Sequence, residues 1–304
     1  MNNSTTAVIT VLGGLLSATL FLLHMFPLPG LALISNLAAL PLFLIGLGLG
    51  LRPLYGAGLL ATFFMLLLEG PITASVFVVL TVLGPTLLIN RALLNRKKPL
   101  GKIAWYPSSL LLRDLTLISG IVMILALGIY LYLTQGGNLQ ILVKTLLKAF
   151  DPQGHAKDVE PLLISLFPFL PGFFAFSWAL MILINGAIAQ GLLSRFQRNL
   201  RPSPSLDNIN VPKSFLILFG LSILLSAIGV GSLELLGKNA TCVLLLPFFL
   251  VGLGIVHQWI RKTSFPIAGL TVFYFLLFLL FWPILFIILL GILKPWIEKA
   301  ISPN

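Results

Sequence analysis

Charge is what this sequence has least of. Only 9% of its 304 residues are charged, and 8 acids stand against 19 basic residues. A soluble domain of this length carries about 25% charged residues. The deficit runs along the whole chain, which excludes an attached soluble domain. Cysteine is nearly missing as well. Cys242 stands alone inside an apolar stretch, so neither a disulfide framework nor a thiolate metal site is expected. The three histidines, His24, His155 and His257, are scattered and make no metal cluster. No nucleotide-binding loop is present. The nearest string, Gly231 to Asn239, has the wrong glycine spacing and ends in Asn where Ser or Thr would hold magnesium. HExxH, GxSxG and paired intramembrane carboxylates are missing too. An enzyme is therefore not expected, and no cofactor or metal is called for. The opening MNNSTTAVIT lacks the basic segment of a cleaved signal peptide, so the first apolar span is read as retained.

What is present is hydrocarbon. Hydrophobic residues make up 58% of the chain, and mean hydropathy is +1.08. The net charge of +11 comes from basic residues clustered in short loops between apolar spans. The positive-inside rule accounts for that pattern, and nucleic acid is not an expected partner. A helix needs about 20 apolar residues to cross a hydrocarbon core of about 30 Å.

Nine stretches qualify or nearly qualify: Ala7 to Phe26, Leu31 to Leu51, Leu54 to Leu68, Ile72 to Leu88, Ser108 to Leu133, the stretch from Leu166 to Pro202 that stops in basic residues, Ser214 to Leu236, Thr241 to Trp259 and Ile267 to Leu293. The second holds Asn36, Pro41 and the run Gly46, Gly48, Gly50. Glu69-Gly70-Pro71 makes a tight turn between the third and fourth, and the ninth is bent or interrupted at Pro283. The expected fold is therefore all-α, a single polytopic transmembrane domain over 1–304 with eight to nine spans. It comprises first helices in 1–90, a basic loop and fifth span in 91–133, an outer segment in 134–160 and C-terminal helices in 161–304.

Loop charge sets the orientation. Arg91, Arg96, Lys97, Lys98 and Lys102 carry no acid among them, and Arg195, Arg198, Arg201 and Lys213 mark a second basic loop. Both are expected to be cytoplasmic, with the N-terminus on the same side. The segment 134–160 is charge-balanced, as an outer face would be. Within it Leu139, Leu142, Val143, Leu146, Leu147 and Phe150 recur at helical spacing. That predicts an amphipathic surface helix over 139–150, which rises only about 18 Å and cannot span.

The candidate ligand residues are the polar groups within or near the spans: Asn185, Gln190, Asn36, Arg113, Asp114 and His257. If Arg195 sits at the headgroups, Asn185 lies about 15 Å above it, near the midplane, where an amide must find a partner. That partner is either another helix, with one of the C-terminal spans expected, or a ligand. Gln190, five residues on, points about 140° away and cannot share a pocket wall with it. Arg113 and Asp114 are adjacent and are not expected to face one another. His257, one turn from Arg261, is read as an interfacial anchor or a pore residue. Gly46 and Gly50, Gly13 and Ser17, and Ala187 and Gly191 form small-xxx-small faces, read first as helix packing and second as a groove or dimer face. Asn239-Ala240-Thr241 matches a glycosylation acceptor only at the level of chance.

The string Asn185 to Leu193 (NGAIAQGLL), then Asn199-Leu200-Arg201-Pro202, and later Pro247 to Leu253 (PFFLVGL) with His257, resembles the YybS-like family of uncharacterised bacterial polytopic membrane proteins. The similarity extends over most of the chain and is strongest from the sixth span onward. That family is grouped with the substrate-binding membrane subunits of energy-coupling-factor transporters and with the rod-shape protein MreD. The resemblance implies a bacterial inner-membrane protein with an all-helical, transporter-subunit-like core. The expected function is to bind or help translocate a small molecule without an ATPase of its own, and the alternative is a non-transporting scaffold for envelope or cytoplasmic proteins. The partners so implied are the lipid bilayer, a small-molecule ligand and an energising or scaffolded protein. In a Cys242→Ser background, a cysteine at 97 is expected to resist an impermeant thiol reagent in intact cells, and one at 155 to be labelled. Labelling at 97 would overturn the orientation.

Overall fold

The structure is a computed structural model that describes residues 2–26, 28–97, 103–134, 136, 143–144, 159–204, 209, 211–280 and 282–301, apart from the side chains at 29, 213, 278 and 297–301. The helix predicted over 139–150 lies outside the described residues except for Val143 and Lys144, and His155 lies outside them too. The helices are α1 (Asn3–Leu22), α2 (Pro29–Ser35), α3 (Leu40–Leu49), α4 (Leu51–Phe77), α5 (Leu83–Ala92), α6 (Ser108–Leu133), α7 (Glu160–Leu166), α8 (Leu170–Arg195), α9 (Lys213–Ile228), α10 (Ser232–Arg261), α11 (Pro266–Leu279) and α12 (Pro283–Ile301). Two short strands, β1 (Asn95–Lys97) and β2 (Ile103–Trp105), pair antiparallel with Arg96 opposite Ala104. The loop read only as basic therefore holds a hairpin.

Among the described residues, six helical runs are long and apolar enough to cross a membrane: Asn3–Met25, Gly30–Leu49, Leu51–Ala92, Ser108–Leu133, Glu160–Arg195 and Ser232–Arg261. Shorter apolar helices cover 214–228, 266–277 and 283–296. The run Leu51–Ala92 is not straight. Gly70 has φ 82, and Pro71 after it has no N–H to continue the ladder. A Cβ on Gly58 would lie 3.0 Å from the Val82 side chain. Along a straight helix those two residues would be about 36 Å apart. The chain folds back at Gly70, where the sequence placed its turn.

The chain forms two compact units, Met1–Leu115 with Trp178–Ser205, and Thr116–Ser177 with Leu206–Asn304. In the first, α1 runs antiparallel to α2 and α3: Gly13 abuts Ile45, and the Ser17 hydroxyl donates to the Ala38 carbonyl at 2.7 Å. The C-terminal half of α8 runs in the same direction as α3 and α5. Gly84 meets Ile182, Gly186 meets Phe43, and Gly48 meets Leu193. Alanines at 18, 38, 61 and 74 leave room for Phe21 and Phe77, whose rings meet edge to face at 5.1 Å beside Met65. This register gathers the start of α1 and the ends of α3, α5 and α8 at one end. All the unit's described Lys and Arg residues lie at or near that end, while Glu69 sits at the opposite reversal.

In the second unit α10 is central, with 67% of its apolar window buried against 22% for α1. Antiparallel α9 packs on it through Phe219 and Phe248, with ring centroids 5.1 Å apart, and through the hydroxyls of Ser222 and Thr241, 2.9 Å apart. Gly252 lies against the Ile287 carbonyl and Gly291 against the Phe248 carbonyl, so the α10 and α12 backbones touch where only glycine fits. Gly269 of α11 meets Ile260. Both halves of the ninth span therefore run antiparallel to α10, and the chain bends before Pro283 without reversing.

Three expectations need correction. The seventh span stops at Ile228, short of Leu236. Gly231, at φ 59, turns the chain and starts α10 well ahead of Thr241. Apolar neighbours on both sides hide that breaker in a hydropathy reading. Gly50, at φ 99, is the joint between α3 and α4 rather than part of a helix face, and a Cβ there would lie 3.8 Å from Leu200 Cδ1. Nothing lies within 4 Å of a Cβ placed on Gly191. Gly252→Ala and Gly291→Ala are each expected to lower stability by about 1–3 kcal/mol, because the helices must separate. Gly191→Ala should be neutral or stabilising by up to about 1 kcal/mol. Thermal unfolding in detergent distinguishes the two cases.

Candidate functional site

Proline and small residues break the second span. Between α2 and α3 the chain turns through 36–39, with Leu37 N–H donating to Ile34 O at 2.9 Å and Ala38 N–H to Ser35 O at 3.0 Å. These tight turns free carbonyls from the regular ladder. Ser17 Oγ takes the Ala38 carbonyl, and Asn185 Nδ2 takes the Asn36 carbonyl at 2.9 Å while also donating to Met181 O at 2.8 Å. The partner of Asn185 is thus the second span, not a C-terminal helix. The reason is positional: a break exposes carbonyls at that depth, and an intact helix has none to spare. Asn36 contributes its main chain, while its own side chain is exposed and folds back on Ala32 O. Asn185 is 1% exposed, and no donor among the described residues reaches its Oδ1. That oxygen can accept a hydrogen bond or help coordinate a cation.

Gln190 serves a different place. Its Nε2 donates to Arg201 O at 2.8 Å and lies 3.3 Å from Ser203 Oγ. Asn199 Nδ2 holds the same carbonyl at 2.7 Å. The Arg201 guanidinium is buried, 6% exposed, and forks to Ala92 O at 3.0 Å and Tyr106 O at 2.7 Å. It caps the end of α5 and pins the exit of the hairpin. Burial pushes this guanidinium down from its ordinary value. Sequence reasoning counted Arg201 only as loop charge.

Helix α8 ends in a Schellman turn. Arg198 N–H reaches Leu193 O at 2.9 Å, Gln197 N–H reaches Ser194 O at 3.1 Å, and Gln197 sits at φ 55. Glycine usually holds that position, so the sequence carried no signal for it.

Arg113 and Asp114, expected to point apart, form a two-point ion pair, Nε to Oδ1 at 3.0 Å and Nη2 to Oδ1 at 2.8 Å. Adjacency separates their Cβ directions, but the long arginine side chain folds back across the helix surface. Tyr106 OH donates to Asp114 Oδ2 at 2.9 Å, and Arg91 Nε stands 3.7 Å from the same oxygen. Burial first, then the Asp114 carboxylate, pushes the Tyr106 phenol above its ordinary value.

In the second unit His257 is no interfacial anchor. It is buried, its Nδ1 donates to Leu253 O at 2.8 Å, and its Nε2 accepts from Tyr274 OH at 3.0 Å. Asn239, noticed only for its chance glycosylation triplet, is fully buried. Its Oδ1 accepts from Gly172 N–H at 2.6 Å, and its Nδ2 donates to Pro168 O at 2.9 Å and to Leu235 O at 2.7 Å. It bridges a donor and acceptor four residues apart, at the proline-disturbed start of α8. An asparagine inside an apolar run was the available signal. Among the described residues no three His, Cys, Asp or Glu side chains gather.

Long apolar helices, breaks filled by side chains from other helices, and cations gathered at one end of the first unit define a helical membrane protein. Residues 15–293 match the profile of the family described as Predicted membrane protein (DUF2232), and the chain belongs to that family. No curated protein and no solved structure matches it. Replacing Arg201 by lysine, a point charge without the planar fork, should leave one of the two carbonyls unmet. The expected loss of about 1–3 kcal/mol is read as a lower midpoint in thermal unfolding, and an unchanged midpoint would refute the clamp.

Proposed function

We propose that this protein binds a small molecule within the bilayer at the break in its second span, and helps carry it across with energy supplied by a partner protein. The observation that carries this reading is the Asn185 amide, buried beside freed carbonyls, its oxygen met by no donor among the described residues. A broken helix meeting a polar side chain at mid-depth is the usual form of a transporter site. On this reading the protein acts by binding, not catalysis, and needs no cofactor. Kinship with YybS-like proteins and with energy-coupling-factor substrate subunits fits it. So does a bacterial inner-membrane location, with eight to nine crossings and the basic end and N-terminus cytoplasmic. The second reading, a scaffold without transport, draws on exposed Arg96 and Lys97 of the hairpin, which could dock an acidic partner.

Protein purified from its native membrane should release a compound, detectable by mass spectrometry, that Asn185→Leu protein lacks. The substitution should cost only about 0.6–1.7 kcal/mol of stability, the range of an interhelical bond. Identical extracts from both proteins would sink the reading and leave Asn185 as packing alone.

A further inference from the structure

A cavity lies at the basic end of the first unit, about two turns of α8 beyond Asn185. It has a volume of about 400 Å³ and is lined by Ile9, Leu44, Ile45, Gly48, Leu49 and Leu193, with Arg198 at its rim. The volume falls within the range of small-molecule sites, about 300–1,000 Å³. Six of the seven lining residues are apolar or glycine, and the seventh, Arg198, is an exposed cation. Gly48 keeps the floor open: a Cβ there would sit 3.0 Å from Leu193 Cδ2 and 3.7 Å from Arg198 O. The Schellman turn at Gln197 fixes where Arg198 leaves the helix.

Arg198 also has no acid partner among the described residues. The ion pairs among the described residues are Arg91 and Arg113 with Asp114, and Lys238 with Glu234, and Arg198 takes part in none of them. We infer that this groove holds one acyl chain of an anionic phospholipid from the surrounding bilayer, with the phosphate on Arg198. Charge selects the headgroup and shape selects the chain. A free polar metabolite would leave the Ile9, Leu44, Ile45 and Leu49 walls uncovered. A zwitterionic lipid would carry its own cation to the guanidinium. Arginine suits the task because its planar fork matches phosphate oxygens and is weakly hydrated. The site is independent of the one beneath Asn185.

The test is native mass spectrometry of the full chain, released from detergent with phosphatidylglycerol or phosphatidylcholine of identical chains. One phosphatidylglycerol should be retained preferentially. Arg198→Gln should cut that retention about five-fold, the weight of one basic residue at an anionic headgroup, and Arg198→Lys should restore most of it. Gly48→Leu, or Ile9→Phe from the opposite wall if the former fails to fold, should reduce retention of both lipids. Equal retention of the two lipids by the wild type, or of phosphatidylglycerol by wild type and Arg198→Gln, would overturn the headgroup assignment. Competition by glycerol phosphate without acyl chains, undiminished in Gly48→Leu, would overturn the groove.

Discussion

The need to satisfy every backbone amide and carbonyl without water governs this structure. Its helices are interrupted repeatedly, and four of the interruptions are met by polar side chains from elsewhere in the same unit. The break at 36–39 is met by Ser17 and Asn185. A π-helical turn over Val78–Val82 leaves the Leu80 carbonyl open, and Trp178 Nε1 donates to it at 2.8 Å. The disturbed start of α8 is met by Asn239, and the end of α5 by Arg201. Ser17, Asn185, Asn239 and Arg201, all buried, are spent where the main chain departs from regular geometry.

Apolar area alone does not hold such helices together, because lipid tails are as apolar as leucine. Close packing and interhelical hydrogen bonds must supply the difference. The glycines that matter are those at backbone contacts. Gly14 sits against Ala57, Gly172 against Asn239, and Gly252 and Gly291 against Ile287 and Phe248. A hydrogen bond and a glycine contact coincide at Gly172, where the Asn239 side chain reaches a main chain that no Cβ keeps away. Polar repair of a helix break thus depends on a small residue that admits it.

Most of the architecture was legible in the sequence because hydropathy is a property of long stretches. The apolar runs, the turn at Gly70 and the bend before Pro283 all follow from runs of like residues punctuated by Gly and Pro. What escaped was short and relational. Gly231 was masked by apolar neighbours, and Gln197 adopts a positive φ that its type does not advertise. Arg201 looks like any loop cation until its two carbonyls are in place. Asn185 was found as a polar residue at depth, but its partner could not be. That partner is a carbonyl, which every residue carries, and only the break makes it available. The Arg113–Asp114 pair shows the converse limit, where spacing rules describe Cβ directions and long side chains turn back on them.

The two buried asparagines then make a comparison within one chain. Asn239 and Asn185 are both interior residues of apolar helices, both bond a carbonyl one turn back on their own helix, and both reach a carbonyl freed on another element. Asn239 goes further, because its oxygen accepts the Gly172 N–H at 2.6 Å and the side chain is complete. Asn185 stops short, with its oxygen buried and met by no donor among the described residues. An unmet buried acceptor costs about 1–3 kcal/mol, and structural needs do not explain it, since leucine at the site would bury no such oxygen. The Asn36 carbonyl alone asks for a donor, which a serine hydroxyl supplies to Ala38 two residues away. An amide brings an acceptor along with that donor, and the acceptor is the part that no described residue meets.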